Sequence, residues 1–206
     1  MKAVSRIEGR AVPLDRRDVD TDQIIPASWL KRVERTGYGA GLFEAWRRDP
    51  DFVLNDPRYA GARILLAGPN FGCGSSREHA VWALQEGGFK AVVAASFADI
   101  FRLNCAKVGL VAAQLPEDVV SRLMRAVQAD PGAILVVDVA TRTVAGAGET
   151  HAFPLDDFTR LRLLGGLDDV ALTLRHVDSI ARYEELRPAH LPRVIDGTGS
   201  ARAGPA

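Results

Sequence analysis

Apolar residues fall along the chain in short runs separated by glycine, proline and charge. Ala62-Arg63-Ile64-Leu65-Leu66-Ala67, Ala91-Val92-Val93-Ala94-Ala95 and Leu110-Val111-Ala112-Ala113-Gln114-Leu115 are almost continuously apolar, the pattern of strands buried on both faces. Between the first two, Ala80-Val81-Trp82-Ala83-Leu84-Gln85-Glu86 is apolar at helical spacing and stops at Gly87-Gly88. Phe97 to Lys107 repeats that spacing, with Ser96 predicted as its N-cap and Gly109 as its stop. Pro116 at the first helical position opens an amphipathic helix with Val119, Val120, Leu123 and Val127 on one face. Strand, helix, strand in this order predicts parallel α/β packing.

The flanks read differently. Val4 to Val12 is a predicted first strand, bent at Gly9. Ile24 to Leu30 runs into a short helix capped by Ser28, and Leu42 to Trp46 is a second, ended by Asp49-Pro50. Ile134 to Val139 and Thr141 to Val144 form a predicted hairpin, followed by a strand from His151 to Phe153. Antiparallel strands after βα units make the sheet mixed. Pro154 to Leu164, Leu167 to Leu174 and Val177 to Glu185 are predicted helices. The expected domain spans residues 1–192, and 193–206 is a low-complexity tail expected to be disordered.

One stretch does not fit a purely structural pattern. Gly68-Pro69-Asn70-Phe71-Gly72-Cys73-Gly74-Ser75-Ser76-Arg77-Glu78-His79-Ala80 turns a strand into a helix. Ser75 or Ser76 is the predicted N-cap, and Ser75-x-x-Glu78 has capping-box spacing. A helix N-terminus with two hydroxyls and a guanidinium beside it suits a carboxylate or phosphate. Known nucleotide loops do not match: Walker A needs Lys-Ser/Thr after its last glycine, and the dinucleotide fingerprint needs glycine where Arg77 stands. Gly72-Cys73-Gly74 does not frame a nucleophile elbow either. A tight turn whose serines only cap the helix remains open on spacing alone.

Composition narrows the classes. The chain has 206 residues, with 26 Lys plus Arg against 26 Asp plus Glu, so no global field draws it to nucleic acid or an anionic membrane. No apolar run reaches membrane-span length and the N-terminus lacks a signal-peptide core; a cytoplasmic protein is expected. Acidic residues alternate through Asp18, Asp20 and Asp22, but an EF-hand's mid-loop glycine and final glutamate are missing, and a solvated loop held by Asx-type bonds is the expectation. Lys31, Arg32 and Arg35 precede the glycine-rich Thr36-Gly37-Tyr38-Gly39-Ala40-Gly41. They read either as a solvated face or as a mobile lid over an anionic substrate. Cys73 with His79 is a candidate nucleophile pair, His79 is a candidate partner of the turn, and Cys105 reads as packing. His151, His176 and His190 have no ligand spacing, so no metal site is expected.

The motifs together resemble the swivelling domain of the aconitase superfamily, and within it the small-subunit family of bacterial 3-isopropylmalate dehydratases. Asn70 to Ala80 carries the signature, and Asp20-Thr21-Asp22-Gln23-Ile24-Ile25-Pro26 matches the family's early loop. Further matches are Arg35 to Gly39 with Leu42-Phe43, Ser96 to Phe101 with Asn104, Gly166 to Leu174, and Ile180-x-x-Tyr183-Glu184. They run in family order over most of the chain. The resemblance implies an α/β aconitase-type domain with a mixed β-sheet or barrel and flanking helices. It implies Ser75 as catalytic base, acting as an alkoxide, and Ser76, Arg77, Lys31, Arg32 and Arg35 as substrate-binding residues. It also implies a small dicarboxylate substrate, 2-isopropylmalate, converted through 2-isopropylmaleate to 3-isopropylmalate.

Such a dehydration uses a 4Fe–4S cluster, which needs several cysteine ligands. This chain has two cysteines. The implied cluster therefore sits on a partner large subunit with three cysteines of its own, and this chain binds no cofactor. A homoaconitase-type or other small-dicarboxylate hydratase would share every catalytic residue, and a stand-alone anion-binding module or a cysteine hydrolase would use the same turn differently.

Overall fold

The structure, a computed structural model, describes residues 1–34, 36–188 and 190–191. The expected tail at 193–206 lies outside the described residues. The chain divides into two compact units, Met1–Asp168 and Asp169–Ala206.

In the first unit the elements are β1 (Arg6–Leu14), α1 (Thr21–Ile24), α2 (Glu44–Arg47), β2 (Ile64–Ala67) and α3 (Glu78–Glu86). They continue as β3 (Ala91–Ala94), α4 (Asp99–Val108), β4 (Val111–Gln114), α5 (Glu117–Ala129), β5 (Ile134–Asp138), β6 (Thr143–Gly146), β7 (Glu149–Ala152) and α6 (Asp157–Gly165). One mixed sheet runs β4-β3-β2-β1-β5-β6-β7. Its β1 to β4 side is parallel and its β1 to β7 side antiparallel, as the change in pattern along the sequence predicts. Every residue of β2 and β3 is buried. α5 packs across β1, β2 and β3, inserting Val119, Val120, Leu123 and Val127 as predicted, with Met124 beside them.

β1 runs beyond its predicted end at Val12 because it changes partner midway. Arg6 to Arg10 pair with β5, and Ala11 to Leu14 pair with β2. Pro13 lies past the last β5 pair, where β1 has a neighbour on one edge only, so a residue without an N–H is tolerated there.

Several predicted caps are not used as caps. Ala27–Lys31 is a 3-10 turn behind Pro26 with no side-chain cap from Ser28. α4 starts at Asp99 behind Ala98, and the Ser96 hydroxyl instead accepts the Asn70 N–H at 2.8 Å. Pro116 stands at the N-cap of α5 rather than inside it. The acidic loop, by contrast, is more ordered than expected: Asp20 caps α1. Its carboxylate accepts from the Gln23 N–H at 2.7 Å, and the Gln23 side chain accepts from the Asp20 N–H at 2.9 Å.

The second unit holds α7 (Asp169–Leu174) and α8 (Val177–Leu186), close to their predicted bounds. Val170, Leu174, Val177, Tyr183 and Leu186 are exposed on them.

Candidate active site

The C-terminal ends of β1, β2 and β3 release three loops side by side, the position where parallel sheets gather ligands. The turn after β2 is held between the other two by backbone bonds on both edges. On one edge the Gly68 N–H donates to Arg16 O at 3.1 Å, Asp18 N–H to Pro69 O at 3.0 Å, Gly72 N–H to Val19 O at 2.8 Å, and Thr21 N–H to Cys73 O at 3.0 Å. On the other, Phe71 N–H donates to Ser96 O at 3.0 Å and Ala98 N–H to Phe71 O at 3.1 Å. Asn70 Nδ2 adds a bond to Asp18 Oδ1 at 2.9 Å.

Two glycines make this threading possible. A Cβ on Gly68 would lie 2.4 Å from the Arg16 carbonyl oxygen. Gly72 has φ +77, and a Cβ there would lie 2.2 Å from Phe101 Cγ. Phe71 is wholly buried edge-on against Phe101, at 5.4 Å between ring centres. The turn is thus a short extension of the sheet, anchored from behind by aromatic packing.

In front of it lies a cleft of about 260 Å³, lined among others by Thr21, Ser75, Ser76, Arg77, Asp99 and Ile100. The structure therefore brings together three of the predicted site residues. Ser75 and Ser76 are exposed. The capping box predicted at Ser75 is absent: α3 begins at Glu78 behind Arg77, with no side-chain cap. Ser75 is held by its backbone, its carbonyl accepting from Thr21 Oγ1 at 3.0 Å, and its hydroxyl is not spent on capping the helix. Arg77 is mostly buried and ion-paired through Nη1 with Asp22.

The charge around the turn is mixed, not simply positive. Arg77 pairs with Asp22, and Asp20 and Asp18 lie near enough to Cys73 to act on its thiol. Cys73 registers this: burial first, then Asp20 and Asp18, push its thiol up. Burial pushes the Cys105 thiol well up. An activated cysteine needs the opposite shift. His79 does not bond the turn either; its ring packs edge-on to Tyr38 at 5.2 Å and tilted to Trp82 at 4.7 Å. The nucleophile-pair reading loses its support.

Lys31 and Arg32 are exposed and do not line the cleft. Arg32 sits 3.6 Å from Glu34 and over the rings of Trp29 and Tyr38, at 5.1 and 6.0 Å. Arg35 lies outside the described residues. Sequence reasoning missed Asp22 as the counter-ion of Arg77, and Thr21 as the support of Ser75. The alternating acids read as a solvated loop held by Asx-type bonds, and nothing local marks a contact across 55 residues of chain.

Comparison with known proteins agrees with this architecture. The family model of the aconitase C-terminal domain matches residues 1–118. The LeuD_N model matches residues 121–157, and the model of the C-terminal domain of the 3-isopropylmalate dehydratase small subunit matches residues 169–194. The 3-isopropylmalate dehydratase small subunit of Parafrankia sp. is 62% identical over 192 residues, 93% of this chain and 98% of that protein. The chain belongs to the 3-isopropylmalate dehydratase small-subunit family. Another member, from Rubrobacter xylanophilus, is 58% identical over 195 residues, 95% of this chain and all of that one. The crystal structure of a 3-isopropylmalate dehydratase from Methanocaldococcus jannaschii superposes with a TM-score of 0.63 at 30% identity, covering 86% of this chain and 99% of that one. The family's aconitase-type domain is the fold expected from the motifs. Among the described residues no helix is long and apolar enough to cross a membrane.

Proposed function

We propose that this chain is the small subunit of a heteromeric hydro-lyase of leucine biosynthesis, interconverting 2-isopropylmalate and 3-isopropylmalate in the cytoplasm. Within it, Ser75 is the base, and Ser76, Arg77, Lys31, Arg32 and Arg35 bind substrate. The observation that carries this reading is the pair of uncommitted hydroxyls, Ser75 and Ser76, beside a guanidinium on one cleft.

The 4Fe–4S cluster of such enzymes does not fit this chain. Cys73 lies half-buried in the turn after β2, and Cys105 is wholly buried within α4. Among the described residues no group of three or more His, Cys, Asp or Glu side chains is placed to hold a metal. We assign the cluster to the large subunit, and this chain's contribution is binding and proton transfer.

Ser75 Oγ, as the alkoxide, takes the proton from the carbon next to the hydroxyl-bearing carbon; that C–H electron pair becomes the new double bond as the C–O bond breaks, and the departing hydroxyl, once protonated, leaves as water. Re-addition of water to 2-isopropylmaleate, with hydroxyl and proton on exchanged carbons, gives 3-isopropylmalate. A free hydroxyl is too weak an acid to be ionised in water, so the anion must be favoured locally. The amides at the start of α3 and the Arg77 guanidinium supply that field. Ser76 and the Arg77 guanidinium, whose Nη1 is paired with Asp22, hold a substrate carboxylate through the remaining guanidinium N–H groups.

The test is reconstitution. Purified alone, the chain should carry no stoichiometric iron and show no isomerisation of 2-isopropylmalate. Adding the cluster-bearing large subunit should restore turnover, and activity of the isolated, iron-free chain would refute the division of labour.

A further inference from the structure

The stretches Trp29 to Glu34 and Thr36 to Gly41 are tied to each other and to α3. Tyr38 is their hub, 1% exposed although it stands among exposed residues. Its hydroxyl donates to the Glu34 carbonyl at 2.8 Å, joining the two stretches. The Arg32 guanidinium lies 6.0 Å from the Tyr38 ring centre, and a Cβ on Gly37 would lie 3.3 Å from Arg32 Nη2. Gly37, at φ +88, therefore leaves the guanidinium the room that a side chain would take.

The same ring joins this turn to the catalytic one. Tyr38 packs edge-on to His79 at 5.2 Å and tilted to Trp82 at 5.5 Å, both on α3. One residue on, the Gly39 N–H donates to Glu86 Oε2 at 2.9 Å at the other end of that helix. α3 starts at Glu78, directly after Arg77. The cation-bearing segment is thus fastened along the helix that begins at the site.

We infer that Tyr38 is a positioning residue: its ring docks the turn bearing Arg32 on α3, the helix that begins after Arg77, its hydroxyl fixes how that turn folds, and together they set the affinity for a dianionic malate-type substrate. This rests on the proposed substrate-binding role of Arg32. The ring orients the segment on α3, while the hydroxyl fixes where the turn carrying Arg32 folds back. Removing only the hydroxyl should release the second constraint and keep the first.

Tyr38→Phe does this with little change of shape. In the complex with its large subunit, the variant should raise KM for 2-isopropylmalate about five-fold, the worth of one hydrogen bond, with kcat changed less. Amide exchange around Glu34 in the same protein should accelerate, while exchange in α3 stays as in the wild type. A KM equal to wild type, or an equal fall of kcat at constant KM, overturns the inference. So does unchanged exchange around Glu34, which can be read whatever the substrate of the complex. An inactive wild-type complex with an intact cluster would instead count against the proposed function.

Discussion

Asp20 and Ser75 each stand at the head of a capping sequence, Asp20-x-x-Gln23 and Ser75-x-x-Glu78, and the fold uses them in opposite ways. At Asp20 both reciprocal bonds form and a single helical turn is pinned in place. At Ser75 neither forms, and the helix starts at Glu78 instead. The difference lies in what holds each segment. The turn around Ser75 is already paired by backbone on both edges and by Thr21 to the Ser75 carbonyl, so a side-chain cap is not needed to fix it. Asp20 sits in the loop that does the holding. One region uses its polar side chain for structure, and the other leaves its hydroxyl unspent.

This contrast breaks first at Ser75. Ser75→Ala should cost on the order of 100-fold or more in turnover of the assembled enzyme. It should leave the melting temperature almost unchanged, because no side-chain bond to the helix is lost. A turnover near wild type, with the cluster intact, would remove Ser75 from the mechanism. A loss of several degrees with activity retained would mean that it caps after all.

Asp20→Ala should show the reverse balance. Losing a formed capping box costs about 1 kcal/mol, which lowers the melting temperature by about 2–4 °C in a chain of this size. Turnover should fall too, by less than at Ser75, because Thr21 and its bond to the Ser75 carbonyl ride on the same turn. Equal melting curves for Asp20→Ala and wild type would show that the turn is held without its cap.

Asp156 offers the smallest and cleanest check on formed caps. It caps α6, accepting the Thr159 N–H at 2.8 Å, and that bond holds its carboxyl below the usual value. A folded-state pKa below the unfolded one stabilises the protein above the unfolded value of about 3.9 and loses that contribution as pH falls through the folded one. Asp156→Ala should therefore melt slightly below wild type at neutral pH, with the gap closing in acid. A gap that stays constant down to strongly acidic pH would rule out this carboxylate as its source.

Much of this was legible in the sequence. The buried strands after Ala62, Ala91 and Leu110, the amphipathic helix after Pro116, and the switch to antiparallel pairing after Ile134 all follow from local period, since burial on two faces, one face or one stripe leaves different apolar spacing. The resemblance of this turn to the family motif points to Ser75, Ser76 and Arg77, which line the cleft, whereas spacing alone leaves open that the serines only cap the helix. The sequence could not say which capping sequence would close, since that depends on whether the backbone has other partners. It could not pair Asp22 with Arg77, Thr21 with Ser75, or Ser96 with Asn70. Each of those contacts is made where loops from different strands meet, and only the parallel alignment of β1, β2 and β3 brings them within bonding distance.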